Sequence, residues 1–231
     1  MATIAENLSH IRERINAAAL RAGRDPSEIE LLAVSKTFPT ADIQQAVDAG
    51  QLLFGENKVQ EALSKIPELP THLRWHLIGH LQSNKLRKIL PHVEAIHSVD
   101  SLSLARDVSR IAGELGLSAR IYLEVNVGDE GTKHGFAHDA LRADWATLRE
   151  LPNLEILGLM CIPPFTPNVE DSRPFFRQLR ALRDELTTSA PGSLPKLSMG
   201  MSHDFEVAIE EGSSIVRVGS AIFGGRTPIP T

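Results

Sequence analysis

Short apolar runs alternate with stretches of helical spacing along most of this chain, and that alternation limits the fold more than any other feature. Eight runs can be read, at 31–36, 52–57, 75–79, 95–99, 119–127, 155–162, 196–200 and 215–220. Helical patterns lie between or after them at 40–50, 60–66, 81–90, 102–115, 139–151, 172–187 and 204–212. A strict strand-then-helix order implies parallel strands covered by helices. Eight such units predict an α/β chain closed into a single (β/α)₈ TIM barrel, and 231 residues suffice for one. The rival is an open doubly wound sheet, which would place a glycine-rich turn after its first strand. The corresponding segment here, SKTFPTAD, contains no glycine.

Ahead of the first run stands an extra N-terminal helix at about 3–22. Thr3 and Glu6 have the spacing of a capping box, Ile4, Leu8, Ile11 and Ile15 repeat on one face, and Gly23 stands where the helix should stop. This amphipathic, acid-containing start does not read as a secretory signal. The Pro-rich stretches are short enough to be connections. One barrel domain is therefore expected to span 1–231, with the barrel proper at about 31–226.

Composition narrows the partners. A net charge of −5 argues against a sequence-independent nucleic-acid binder, and no apolar run approaches membrane-spanning length. One cysteine, Cys161, permits no internal disulfide, so a reducing cytoplasm is the expected location.

In such a barrel, function gathers where strands run out into the loops that follow them. The first run, LLAVSK, ends in Lys36, either because the chain has reached water or because a barrel strand presents an amine to a carbonyl. Other run ends supply Asn57, Met201, Ser202, Arg217, Gly219 and Ser220. Glycines and serines at the ends of runs seven and eight suit a phosphate cup of backbone N–H groups and hydroxyls. Alternation in the eighth run puts Val216 and Val218 on one face and Arg217 on the other. Arg217 then either pairs with a buried carboxylate such as Glu56 or Glu124, or faces a ligand. His76 and His80 imitate half a zinc motif, but a strand holds residues four apart too far from each other for one ion, so no metal is expected. Tyr122, the only tyrosine, falls mid-strand and reads as core. Lys133, in GDEGTKHGF, reads as a solvated loop lysine, with a second amine or phosphate contact as its alternative.

The motifs AVSKT, FGENKVQE, WHLIGHLQSNK, VNVGDEGTKHGF, GLMCIPP, LSMGMSHD and VRVGSAIFG occur in order from about residue 31 to 226. Together they resemble the pyridoxal phosphate homeostasis family, whose barrel is similar to the N-terminal domain of alanine racemase. The resemblance implies pyridoxal 5′-phosphate (PLP) held as an aldimine on Lys36. It implies Asn57 near the ring's phenolic oxygen and Arg217 facing the pyridine nitrogen. Ser202, the Met201 backbone and Gly219-Ser220 would hold the phosphate. His80 receives no role.

An arginine at the ring nitrogen cannot accept a proton, so the carbanion chemistry of transaminases is expected to be weak. That arginine does not exclude racemisation, because alanine racemase resembles this site in that respect. Racemisation also needs a base on the opposite face, supplied in alanine racemase by a tyrosine of a second domain. Only about eleven residues follow Ser220 here. The expectation is a monomeric intracellular PLP carrier or buffer without robust turnover, with PLP-dependent apoenzymes as possible recipients. A racemase-like PLP enzyme and a class I Schiff-base aldolase are the alternatives.

Overall fold

The computed structural model describes residues 2–128 and 134–225. Eight parallel strands close into a barrel in sequence order: β1 (Glu30–Val34), β2 (Leu53–Glu56), β3 (Arg74–Leu77), β4 (Ala95–Val99), β5 (Ala119–Glu124), β6 (Leu154–Met160), β7 (Lys196–Met201) and β8 (Ile215–Val218). Closure comes from β1, whose Ala33 sits level with Phe54 of β2 on one side and Val218 of β8 on the other.

The helices are α1 (Ile4–Arg21), α2 (Thr40–Asp48), α3 (Val59–Lys65), α4 (Leu86–Ile89), α5 (Leu102–Glu114), α6 (His138–Arg149), α7 (Arg173–Thr188), α8 (Phe205–Glu210) and α9 (Ser220–Phe223). The extra N-terminal helix is present with the expected reciprocal cap: Glu6 N–H donates to Thr3 Oγ1, and Thr3 N–H to the Glu6 carboxylate. Its apolar face, Leu8, Ile11, Ile15, Ala18 and Ala19, is buried against α2, α8, α9 and the outer faces of β1 and β8. The helix thus covers the seam where the last strand meets the first. Ion pairs Arg14–Glu206 and Arg21–Glu210 and a bond from Asn7 Nδ2 to Ile222 O tie its polar flank to α8 and α9.

Most strands stop short of the expected apolar runs. The predicted run 31–36 becomes Glu30–Val34, and 215–220 becomes Ile215–Val218 with Ser220 already opening α9. At the barrel mouth the ladder ends and the backbone turns, so the residues there belong to loops although their sequence continues the run. The helix expected at 81–90 is mostly replaced by two 3₁₀ turns, Ser83–Lys85 and Leu90–His92, flanking the single turn of α4. Pro91, which lacks an N–H, and the poor helix formers Ser83 and Asn84 account for the break.

Inside the barrel, Leu32, Val34, Leu53, Ala95, Tyr122, Met160 and Ile215 form an apolar filling. Val216 and Val218 pack outward with the residues beneath α1, as the alternation in β8 requires. Arg217 therefore turns inward, and it is 4% exposed.

Candidate functional site

A cavity of about 240 Å³ opens at the C-terminal mouth of the barrel, over β1, β2, β7 and β8. Lys36, Asn57, Met201, Ser202, Arg217, Gly219 and Ser220, the seven residues singled out for the cofactor, all line it, whereas the other strand ends, His80 among them, do not. Sequence reasoning gave no role to the remaining wall: Val34, Phe38, Ile78, Ile162, His203 and Gly224. The apolar members can pack against a planar ring and exclude water from the amine between them.

Lys36 follows β1 in a turn held under strain. The next residue, Thr37, has φ +70°, a conformation that a β-branched side chain rarely adopts. What holds it is a buried charge clasp. Thr37 N–H donates to Glu61 Oε1 at 2.5 Å, and Lys65 Nζ donates to Glu61 Oε1 (2.6 Å), Glu56 Oε1 (2.9 Å) and the Ser35 carbonyl (2.9 Å). Ser35 Oγ donates to the same Glu56 oxygen at 2.7 Å. Burial opposes ionisation of Glu61, but the Lys65 ammonium and the Thr37 N–H outweigh it and hold its carboxyl below the ordinary value. Burial wins at Glu56, raising its carboxyl against the bonds from Ser35 and Lys65. The residues on both sides of Lys36 are thus tied to α3 and β2.

Asn57 owes its place to a glycine. A Cβ on Gly79 would lie 2.2 Å from Asn57 O and 2.6 Å from its Oδ1, so only glycine lets the loop after β3 pass behind the amide. Gly200 does the same for the opposite wall. Its φ is +92°, and a Cβ there would meet Phe205 Cα at 2.9 Å, which lets β7 turn tightly into α8.

The Ser202 hydroxyl lies at the start of α9, accepting from Gly219 N–H at 3.2 Å and Ala221 N–H at 3.4 Å. Met201 N–H is committed to Asp204 Oδ1 at 2.8 Å. The ends of β7 and β8 thus gather hydroxyls and N–H groups in one place, with the Gly219 and Ala221 N–H groups engaged by Ser202 Oγ and the Met201 N–H by a carboxylate.

Arg217 forms no ion pair among the described residues, contrary to the carboxylate alternative. Its Nη1 donates to Ser198 O (2.8 Å) and Oγ (2.6 Å), and its Nη2 to Cys161 O (2.9 Å). Burial draws its pKa below the ordinary guanidinium value. From Ser198 a polar chain runs into the barrel: Ser198 Oγ to His97 Nδ1 at 2.9 Å, and His97 Nε2 to His76 Nδ1 at 2.8 Å. A guanidinium only donates, and one proton order compatible with that satisfies each contact of the chain. In that order Ser198 gives its hydroxyl proton to His97 Nδ1, and His97 carries its own proton on Nε2 and gives it to His76 Nδ1. His76 is left with Nε2–H pointing at no partner among the described residues. Burial keeps both rings neutral, pulling His76 down to about 4 and His97 well below its usual value.

His76 and His80 are not brought together. His76 belongs to this internal chain, while His80 stands at the mouth, stacked on His134 beside Asp100. Tyr122 is fully buried against His97, and burial raises its hydroxyl pKa, so it is core. Burial likewise pushes the Cys161 thiol up to about 12. Lys133 lies outside the described residues.

Comparison with known proteins decides the family. The family model for the alanine racemase N-terminal domain matches residues 6–227. The pyridoxal phosphate homeostasis protein of Aquifex aeolicus is 47% identical over 222 residues, covering 96% of this chain and 97% of its own. The chain belongs to the pyridoxal phosphate homeostasis family. A further member, from Pseudomonas aeruginosa, is 46% identical, with 98% of this chain and 97% of that protein covered. Among solved structures, PipY of Synechococcus elongatus with PLP bound superimposes on this homeostasis-family chain with a TM-score of 0.84. It is 42% identical, and 96% of this chain and 100% of PipY are covered. Alanine racemase of Clostridium difficile shares the fold at TM-score 0.72 and 15% identity, and this chain spans 57% of its length. The near relatives of this family member carry the homeostasis name; the racemases match it over part of their chains only.

Proposed function

We propose that this chain binds PLP in the mouth cavity and serves PLP homeostasis as a carrier or buffer rather than as an amino-acid-transforming enzyme. The observation that carries this reading is the convergence of Lys36, Asn57, Ser202, Arg217 and Gly219-Ser220 on one cavity. The donor set fits the cofactor: an amine for the aldehyde, apolar walls for the ring, an amide and a guanidinium for its edge, and hydroxyl and N–H groups for the phosphate. Lys36 would hold PLP through its aldehyde, Asn57 and Arg217 would orient the ring, and Ser202 and Ser220 would hold the phosphate. The Met201 N–H already serves Asp204 and the Gly219 N–H serves Ser202 Oγ, so the Ser202 and Ser220 hydroxyls would carry the phosphate contact, with Met201 and Gly219 giving wall and chain direction.

Bound PLP supplies an aldehyde that can be passed between amines. The residues around it favour holding over turnover. Arg217 has no basic site to accept a proton, so it cannot draw electrons through the ring nitrogen as an acid would. Tyr122 is sealed in the barrel core and cannot act as a base at the cavity. The reading extends to a monomer of one barrel domain acting in the cytoplasm, with PLP-dependent apoenzymes as recipients. Among the described residues no helix is long and apolar enough to cross a membrane.

Borohydride reduction of the PLP-loaded protein followed by peptide mass spectrometry tests the site. The pyridoxyl group should appear on the peptide containing Lys36, and Lys36→Ala should lose the visible absorption of the bound cofactor. Unchanged absorption and affinity in Lys36→Ala would refute the assignment. Turnover of L-amino acids to D-isomers or keto acids well above that of free PLP would refute the carrier role.

A further inference from the structure

At the same barrel mouth, three residues that follow consecutive strands converge, none of them lining the cavity. His80 follows β3, Asp100 follows β4, and His134 lies beyond β5. His80 Nδ1 is 3.6 Å and His134 Nδ1 is 3.5 Å from the same oxygen, Asp100 Oδ2. The two imidazoles lie face to face, 4.0 Å between centroids and 18° between planes. One ligand atom from each of the three residues lies within 4.8 Å of the others.

We propose that His80, Asp100 and His134 form a binding site for a borderline divalent cation of the Zn²⁺, Co²⁺ or Ni²⁺ class. The separations carry the argument. Both nitrogen–oxygen distances are too long for hydrogen bonds, which run at roughly 2.7–3.2 Å. They are the distances expected between ligand atoms around a tetrahedral ion bound at about 2.0–2.1 Å, which places its ligands roughly 3.3 Å apart. Two imidazole nitrogens and one carboxylate oxygen suit this class of metal and not Mg²⁺ or Ca²⁺, which take all-oxygen sets. The side chains are partly exposed, Asp100 at 16% and the histidines near half, so the site has an entry path. Three protein ligands leave a fourth position for water or an added ligand, the pattern of open rather than structural zinc sites. Asp100 directly follows the end of β4 and His80 stands three residues past β3, which limits the reorganisation that binding requires. The inference rests on these three residues alone and stands apart from the PLP reading.

The test uses the full chain after dialysis against a chelator, with Zn²⁺ followed by calorimetry and Co²⁺ by visible absorption. One equivalent of Zn²⁺ should bind, Co²⁺ should develop the intense d–d bands of low coordination number, and Mg²⁺ should displace neither. His80→Ala, His134→Ala and Asp100→Asn should each weaken Zn²⁺ at least about tenfold, which is about 1.4 kcal/mol. His72→Ala, at an exposed histidine elsewhere, should leave the affinity unchanged. Thermal melts of all four variants, expected to overlay the parent, separate loss of a ligand from loss of fold. Absence of Zn²⁺ and Co²⁺ binding by the parent chain overturns the proposal. So does undiminished one-equivalent binding in the His80→Ala/His134→Ala double variant, which would mean only scattered surface histidines take up metal.

Discussion

Arg217 shows how much one buried side chain can organise. Its two terminal nitrogens serve three acceptors, and those acceptors belong to β7 and to the segment after β6. Arg217→Lys keeps the charge but replaces a planar fork by a single ammonium, which cannot reproduce the bonds to Ser198 and to Cys161 O together. We expect a loss of about 1–3 kcal/mol in stability, read as a lower urea midpoint, together with weaker PLP binding and a shifted cofactor absorption band. The inward direction of Arg217 was legible in the alternation Ile215, Val216, Arg217, Val218. Its partners were not, because they are carbonyl oxygens and a serine hydroxyl, and residue identity does not reveal which backbone acceptors a fold brings near. The same limit hid the company of His80: Asp100 and His134 are remote in sequence and meet only once the barrel closes. Asn57, Ser202 and Gly219-Ser220 were readable because each stands at the end of an apolar run, the one place where a barrel gathers distant residues.

At the scale of elements, the first turn of the cavity depends on α3. Glu61 and Lys65 have the spacing of an ordinary surface helix pair, so nothing in the sequence distinguishes them from solvated charges. In the fold Lys65 is 8% exposed and joins β1, β2 and α3. Glu61→Ala removes the acceptor of Thr37 N–H and unbalances Lys65. Thr37 should then relax from positive φ, raising hydrogen exchange across residues 35–38 and lowering the yield of borohydride trapping at Lys36, with the melting temperature reduced by a few degrees. The internal histidine chain predicts an acid response. His76 is neutral in the fold down to about 4, whereas the unfolded chain protonates it below about 6.5. Between those values the unfolded state binds more protons, so stability is full above about 6.5 and falls as pH drops toward 4. Roughly 3 kcal/mol is at stake for His76, at about 1.4 kcal/mol per pH unit. Urea unfolding from pH 7.5 to 4.5 should show this slope, and His76→Gln should be less stable at pH 7.5 yet flatter across the range.

At the scale of the molecule, α1 is what the β/α alternation alone would not require. It buries an apolar face over the meeting of β8 and β1, so barrel closure and cavity share one lid of packing. Ile11, 1% exposed, sits within that face. Ile11→Asp should cost at least about 3 kcal/mol by burying an unpaired charge, and it should weaken PLP retention although Ile11 lies outside the cavity. Equilibrium unfolding and dialysis retention measure the two effects together.

The cavity straddles the seam, with Lys36 beyond the first strand and Arg217, Gly219 and Ser220 in or beyond the last. On a ribosome the amine emerges early and waits through six further strands before its guanidinium and hydroxyl partners exist. A nascent or prematurely stopped chain therefore carries Lys36 without the cavity wall that the last strands supply. If PLP is held there as proposed, its retention becomes a report that translation has run through the eighth strand.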